Sequence, residues 1–173
     1  VSCLNRDTIM TNNDILRRVR YIFDFKDSNI VALFALADHE VSRQQVKSWL
    51  LKDDDPDFNK LSDLQLATFL NGLINDRRGK REGVQPDAES KLSNNMILRK
   101  LRIALDYKDN DMLETLKLSD VHISKHELSA FFRKVGHKHY RECKDQVLRC
   151  FLKGLQMKLR PEDPSTKSTV WKK

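Results

Sequence analysis

The sequence predicts an all-α protein, built from two tandem four-helix repeats packed about a pseudo-two-fold axis. Three observations carry this. Apolar residues recur at helical spacing, with almost no alternating stretches. The chain also superimposes on itself at a shift of 82 positions: residues 12–73 match 94–155 without a gap, with 19 identities in 62 positions. A 62-residue unit buries only about 60% of its chain surface, so one copy alone is marginal and the two are expected to pack together.

The elements follow in order. The first helix is expected over residues 13–26, with Ile15, Leu16, Val19, Ile22 and Phe23 on one stripe and Asn12 or Asn13 as N-cap. A short apolar helix follows over 28–37, carrying Ile30, Val31, Leu33, Phe34 and Leu36. A third starts at the N-cap Ser42 and carries Val46, Trp49 and Leu50. The fourth, over 62–75, shows Leu64, Leu66, Phe69, Leu70, Leu73 and Ile74. Each recurs 82 residues later, with apolar residues such as Leu98, Leu101, Met112, Leu116, Leu128, Phe131, Leu148 and Phe151. Gly72 and Gly154 lie inside the fourth helix of each copy, where Gly costs about 1 kcal/mol relative to Ala, and so predict close helix contact.

Outside the repeats, residues 1–11 read as a leader or expression remnant, and 76–93 as a linker rich in charge with Gly and Pro. The end of the chain, 159–173, reads as a disordered tail. Repeat one is thus bounded at 12–75 and repeat two at 94–158.

Composition narrows the function. The 173 residues are 33% charged with a formal charge of +7, and no apolar run reaches the roughly 18 residues that span a bilayer. Cys3, Cys143 and Cys150 read as reduced thiols, which suits a cytoplasmic location. Phosphate-cradling and nucleophile-elbow motifs are absent, and no enzyme or cofactor is expected. His137, His139 and Cys143 form an H-x-H-x-x-x-C string with no evident fourth ligand, so no metal site is expected either.

The third helices carry the sharpest local signal. An apolar residue, a Ser N-cap and spaced apolar residues reproduce the second half of a helix-turn-helix pattern, at Val41, Ser42, Val46 and Trp49 and again at Ile123, Ser124, Leu128 and Phe131. The polar faces would offer Arg43, Gln44 and Lys47 in one copy and Lys125, His126, Ser129 and Arg133 in the other, types that bond phosphates and base edges. Two such helices about a two-fold would read two half-sites. Ordinary bundle packing fits the same pattern: the preceding turn is about two residues too long, and Asp53, Asp54, Asp55 and Asp57 would repel phosphate.

Charge is unevenly shared: copy one carries −2, copy two +5, residues 74–93 +1 and the tail from Gln156 +3. Electrostatic binding of nucleic acid would therefore be led by copy two and weaken steeply with salt. Arg17 and Arg20 recur as Arg99 and Arg102, a candidate anion site across the axis; Asp24 and Asp106 stand four residues after Arg20 and Arg102, at ion-pair spacing that favours a structural role. Lys26 and Asp27, with Lys108 and Asp109, suit a helix end and turn. The alternative in a different class is a protein-interaction module, acting as a homodimer or docking a protein partner.

The repeated N-N-x-I-L-R-x-x-R string, the segment V-S-R-Q-Q-V-K-S-W-L and the F-L-x-G-L closure followed by R-R-G-K resemble the YehS-type family of uncharacterised bacterial proteins. The resemblance covers residues 10–158 and implies a bacterial cytosolic helical protein of duplicated type. It implies no activity, cofactor or catalytic residue.

Overall fold

The computed structural model describes residues 9–162, and these form eight α-helices and no strand. Copy one holds α1 (Asn12–Ile22), α2 (Asp27–Leu36), α3 (Arg43–Leu50) and α4 (Asp63–Arg78). Copy two holds α5 (Asn94–Leu105), α6 (Asp109–Leu118), α7 (Lys125–Ala130) and α8 (Asp145–Leu159). Of the expected leader, residues 1–8 lie outside the described residues, as does the expected tail from residue 163 onward.

Helix ends depart from the sequence reading where the backbone turns on itself. Thr11 caps α1 rather than Asn12 or Asn13: its hydroxyl accepts from the Asp14 N–H, and the Asp14 carboxylate accepts from the Thr11 N–H at 3.0 Å. α1 stops at Ile22 because Asp24 adopts a left-handed conformation, φ 56°, and Phe25 N–H returns to the Arg20 carbonyl. Asp106 ends α5 in the same way, φ 53°. The chain then restarts at once, so Lys26–Asp27 and Lys108–Asp109 open α2 and α6 instead of closing α1 and α5. Asp27 and Asp109 thereby place carboxylates at helix N-termini, where the backbone dipole favours them.

Asn13, freed from capping, is buried and holds the loop after α3. Its amide donates to the carbonyls of Trp49 and Asn59, both at 2.9 Å, and its oxygen accepts from Leu61 N–H at 3.0 Å. Asn95 makes the same three bonds, to Phe131, Arg141 and Cys143, each partner displaced by 82. One buried side chain thus satisfies three backbone groups that burial would otherwise strand.

The glycines sit where expected. A Cβ on Gly72 would lie 1.8 Å from the Leu33 carbonyl oxygen, and one on Gly154 2.0 Å from that of Thr115, so α4 meets α2 and α8 meets α6 backbone to backbone. Phe34, central in copy one, packs against Trp49 and Phe69 at ring separations of 5.4 and 5.8 Å.

Between copies, α4 packs on α5 and α8 packs on α1. Four of the polar bonds across this boundary form two exchanged pairs, beside others such as Lys100 to Asn71 at 2.6 Å. Met10 N–H donates to Asp145 and Leu92 N–H to Asp63, at 3.0 and 2.9 Å. Arg78 pairs with Asp106 at 3.0 Å and Arg160 with Asp24 at 3.2 Å. Within these four bonds each partner maps onto its counterpart by adding or subtracting 82. Both copies contribute to one continuous core, from Ile15 through Leu155.

Candidate nucleic-acid interface

The third helices present the expected side chains to solvent. Arg43, Gln44 and Lys47 are exposed on α3, Lys125 and His126 on α7, and Arg133 just beyond it. Ser129 is half-buried, and its hydroxyl donates to the Lys125 carbonyl at 2.9 Å, so it serves its own helix. The inward faces, with Val46 and Trp49 or Leu128, are buried.

The connection between α2 and α3 runs over residues 37–42, and that between α6 and α7 over 119–124. Six residues exceed the three or four of a helix-turn-helix turn. Asp38 and Asp120 take left-handed conformations within them, φ 57° and 65°. α7 spans only six residues, about 9 Å at 1.5 Å per residue.

The four arginines of the expected anion site are bound within their own copies. Arg17 bonds Asp14 at 2.9 Å, Asp53 at 2.8 Å and the Leu51 carbonyl. Arg20 reaches Asp27 at 3.3 Å and Arg102 reaches Asp109 at 2.7 Å. Arg99 donates to the Phe132 carbonyl, while the Arg102 guanidinium lies 4.8 Å from the Phe132 ring centroid. The expected Arg20–Asp24 and Arg102–Asp106 pairs are replaced by these, because the left-handed turn carries Asp24 and Asp106 off their helices and across to Arg160 and Arg78.

Further cations gather on copy two in the loop 133–144, of which the sequence reading took only Arg133 as a contact. It carries Arg133, Lys134, Lys138, Arg141 and Lys144 against one acidic residue, Glu142, and all five cations are exposed. The equivalent loop of copy one, 51–62, has two lysines against four aspartates. Comparing the copies loop by loop, rather than summed over whole repeats, exposes this contrast. The loop returns to α7: Arg141 N–H donates to the Ala130 carbonyl at 3.1 Å, and the His126 and His139 rings stand 6.0 Å apart. His137 lies 5.6 Å from His139. None of the five loop cations, nor Lys125, forms an ion pair among the described residues.

Among the described residues no three His, Cys, Asp or Glu side chains are placed to hold a metal ion. Cys143 is buried while His137 and His139 are exposed, which separates the H-x-H-x-x-x-C string. Burial, with Asp145 nearby, pushes the Cys143 thiol up to about 12, far from a thiolate at neutral pH. Cys150 is buried too. No helix among the described residues is long and apolar enough to cross a membrane.

Two comparisons with known proteins meet this architecture. The family model described as "Protein of unknown function (DUF1456)" matches twice, over residues 12–79 and 94–160. The chain belongs to the DUF1456 family. Its two matched segments coincide with the two four-helix copies, the first extending to the end of α4 at Arg78 and beyond. "Uncharacterized protein YehS" of Escherichia coli (strain K12) is 42% identical over 147 residues, 84% of this chain and 94% of that protein. No solved structure matches significantly.

Proposed function

We propose that the protein binds nucleic acid through the phosphate backbone, with the second copy as the contacting surface and binding rather than catalysis as its role. The observation that carries this reading is the basic face of copy two: Lys125 on α7 and five cations of the loop 133–144, all exposed and without ion pairs among the described residues. Exposed cations free of carboxylates release condensed counterions when phosphates replace their solvent. The six-residue α7 and the long connection before it favour backbone contact over base reading, since a recognition helix must reach base edges along a groove. Copy one stays outside this contact, because four aspartates follow α3 and would repel the phosphate backbone.

The test is fluorescence anisotropy with labelled random-sequence duplex and single-stranded DNA and RNA, titrated at several salt concentrations. Engagement of four to six phosphates gives a log–log salt slope of about −4 to −5 on duplex DNA. The triple variant K125E/K134E/K138E is expected to lose at least about tenfold in affinity, at roughly the counterion contribution of three contacts. Absence of binding at about 50 mM salt, where such contacts are strongest, overturns the proposal. The protein-interaction alternative then takes its place if the chain self-associates by sedimentation.

A further inference from the structure

In copy one, cations that the sequence divides between two features line a single groove of about 590 Å³. Its walls are the end of α1 and the turn after it, the start of α2, and the outer face of α3. Arg17, Arg20, Lys26, Arg43 and Lys47 are its basic members, Asp24 and Asp27 its acidic ones, so the lining carries +3 inside a copy whose total is −2.

Which of these charges are available follows from their partners. Asp27 is engaged by Arg20 and Asp24 by Arg160, while Arg17 is held by Asp14 and Asp53. Lys26, Arg43 and Lys47 form no ion pair among the described residues. Both lining carboxylates are therefore already occupied by guanidinium groups, and three cations share one concave space without a counter-charge. Such a focus of like charge attracts a compact multivalent anion.

We infer that this groove binds a small organic phosphate, with Arg43, Lys47 and Lys26 holding the phosphate and the aromatic surface of Tyr21 and Phe25 meeting the organic part. The volume falls within the range of about 300–1,000 Å³ typical of small-ligand sites. One guanidinium with two ammonium groups suits a phosphate monoester, which carries about −1.5 to −2 at neutral pH. A nucleic-acid strand fits less well, because Asp53, paired with Arg17 in the groove wall, heads a run of aspartates in the loop 51–62 that would meet an extended polyanion but not a compact one. The second copy is not equipped in the same way: Lys125 and Ser129 stand where Arg43 and Lys47 do, and the Ser129 hydroxyl is turned to its own helix.

The experiment uses the full chain, ¹⁵N-labelled, titrated with adenosine 5′-monophosphate and ribose 5-phosphate, with adenosine as the uncharged control. Saturable amide shifts clustered at residues 24–28 and 43–47, absent with adenosine, are expected. K47S, which installs the second copy's residue, and R43Q are each expected to weaken binding about tenfold, the loss of one charge-assisted contact. K125Q should leave it unchanged. Both groove variants should also leave nucleic-acid affinity within about twofold, so failure here is separable from failure of the copy-two interface. No saturable shift with either phosphate at about 10 mM, beyond the millimolar range of weak specific sites, overturns the inference, as does equal binding by the K47S and R43Q variants.

Discussion

Cys143 occupies the position that Leu61 fills in copy one, and both are buried, at 1% and 3% exposure. Its backbone N–H is bonded to Asn95, which fixes the residue in place, and its side chain is buried. With the folded-state thiol raised from 9.0 to about 12, the native chain keeps a proton that the unfolded chain gives up. Stability is therefore full below pH 9 and falls as pH rises through the window from about 9 to about 12, by up to about 1.4 kcal/mol per pH unit. The check is the difference in urea midpoint between the natural protein and Cys143→Leu, the residue the first copy uses. A difference that stays constant from pH 8.5 to 10.5, roughly the lower half of the titration, would remove the thiol as its source. At this same scale, Asn13 and Asn95 show what a sequence can hide. Their identity between copies is plain, but Asn13, beside Asn12 at the start of the apolar stripe, reads as a cap. Their partners lie 36 to 48 residues away, beyond any local pattern.

Helices α4 and α8 each carry one glycine at the point where another helix touches backbone to backbone. In an open helix, Gly→Ala would stabilise by about 1 kcal/mol. At Gly72 and Gly154 the added Cβ falls 1.8 and 2.0 Å from carbonyl oxygens that belong to α2 and α6, and no side-chain rotation relieves it. Overpacking at the upper end of its usual range, about 3 kcal/mol, outweighs the propensity gain, for a net loss of about 2 kcal/mol in G72A and G154A by urea denaturation. Unchanged or raised midpoints would mean that the helices slide apart at no cost. Helical periodicity located all eight elements, and the glycine contacts were legible from helix propensity alone. The end of α1 was not, because Asp24 rather than Gly takes the left-handed position and Phe25 continues the apolar stripe past it, stacking on Phe23 at 5.5 Å. That one turn also redirected two ion pairs and joined Arg20 to the groove beside Arg43 and Lys47. The groove itself was beyond sequence reading, since it needs α1 and α3 to pack side by side.

Taken whole, the molecule keeps its duplicated frame while its surface charge diverges. The residues at the boundary explain why the frame resists change: Met10–Asp145 with Leu92–Asp63, and Arg78–Asp106 with Arg160–Asp24, place equivalent partners on opposite sides, so altering one position disturbs a contact in the other copy. The loops after α3 and α7 cross no such boundary in these contacts, and there the two copies have become acidic and basic. A shared core and exchanged partners imply one cooperative unit, because neither copy retains its buried surface when the other unfolds. Trp49 can report this, being one of two tryptophans and buried at 2% exposure in copy one. In a Trp171→Phe background, Leu152→Ala removes a fully buried side chain of α8 and costs about 3 kcal/mol. The Trp49 fluorescence transition is expected to shift by that full amount and to coincide with the far-ultraviolet circular dichroism transition. If Trp49 instead unfolds at its original midpoint while the dichroism splits into two steps, the copies are independent domains, and the exchanged bonds between them contribute little to stability.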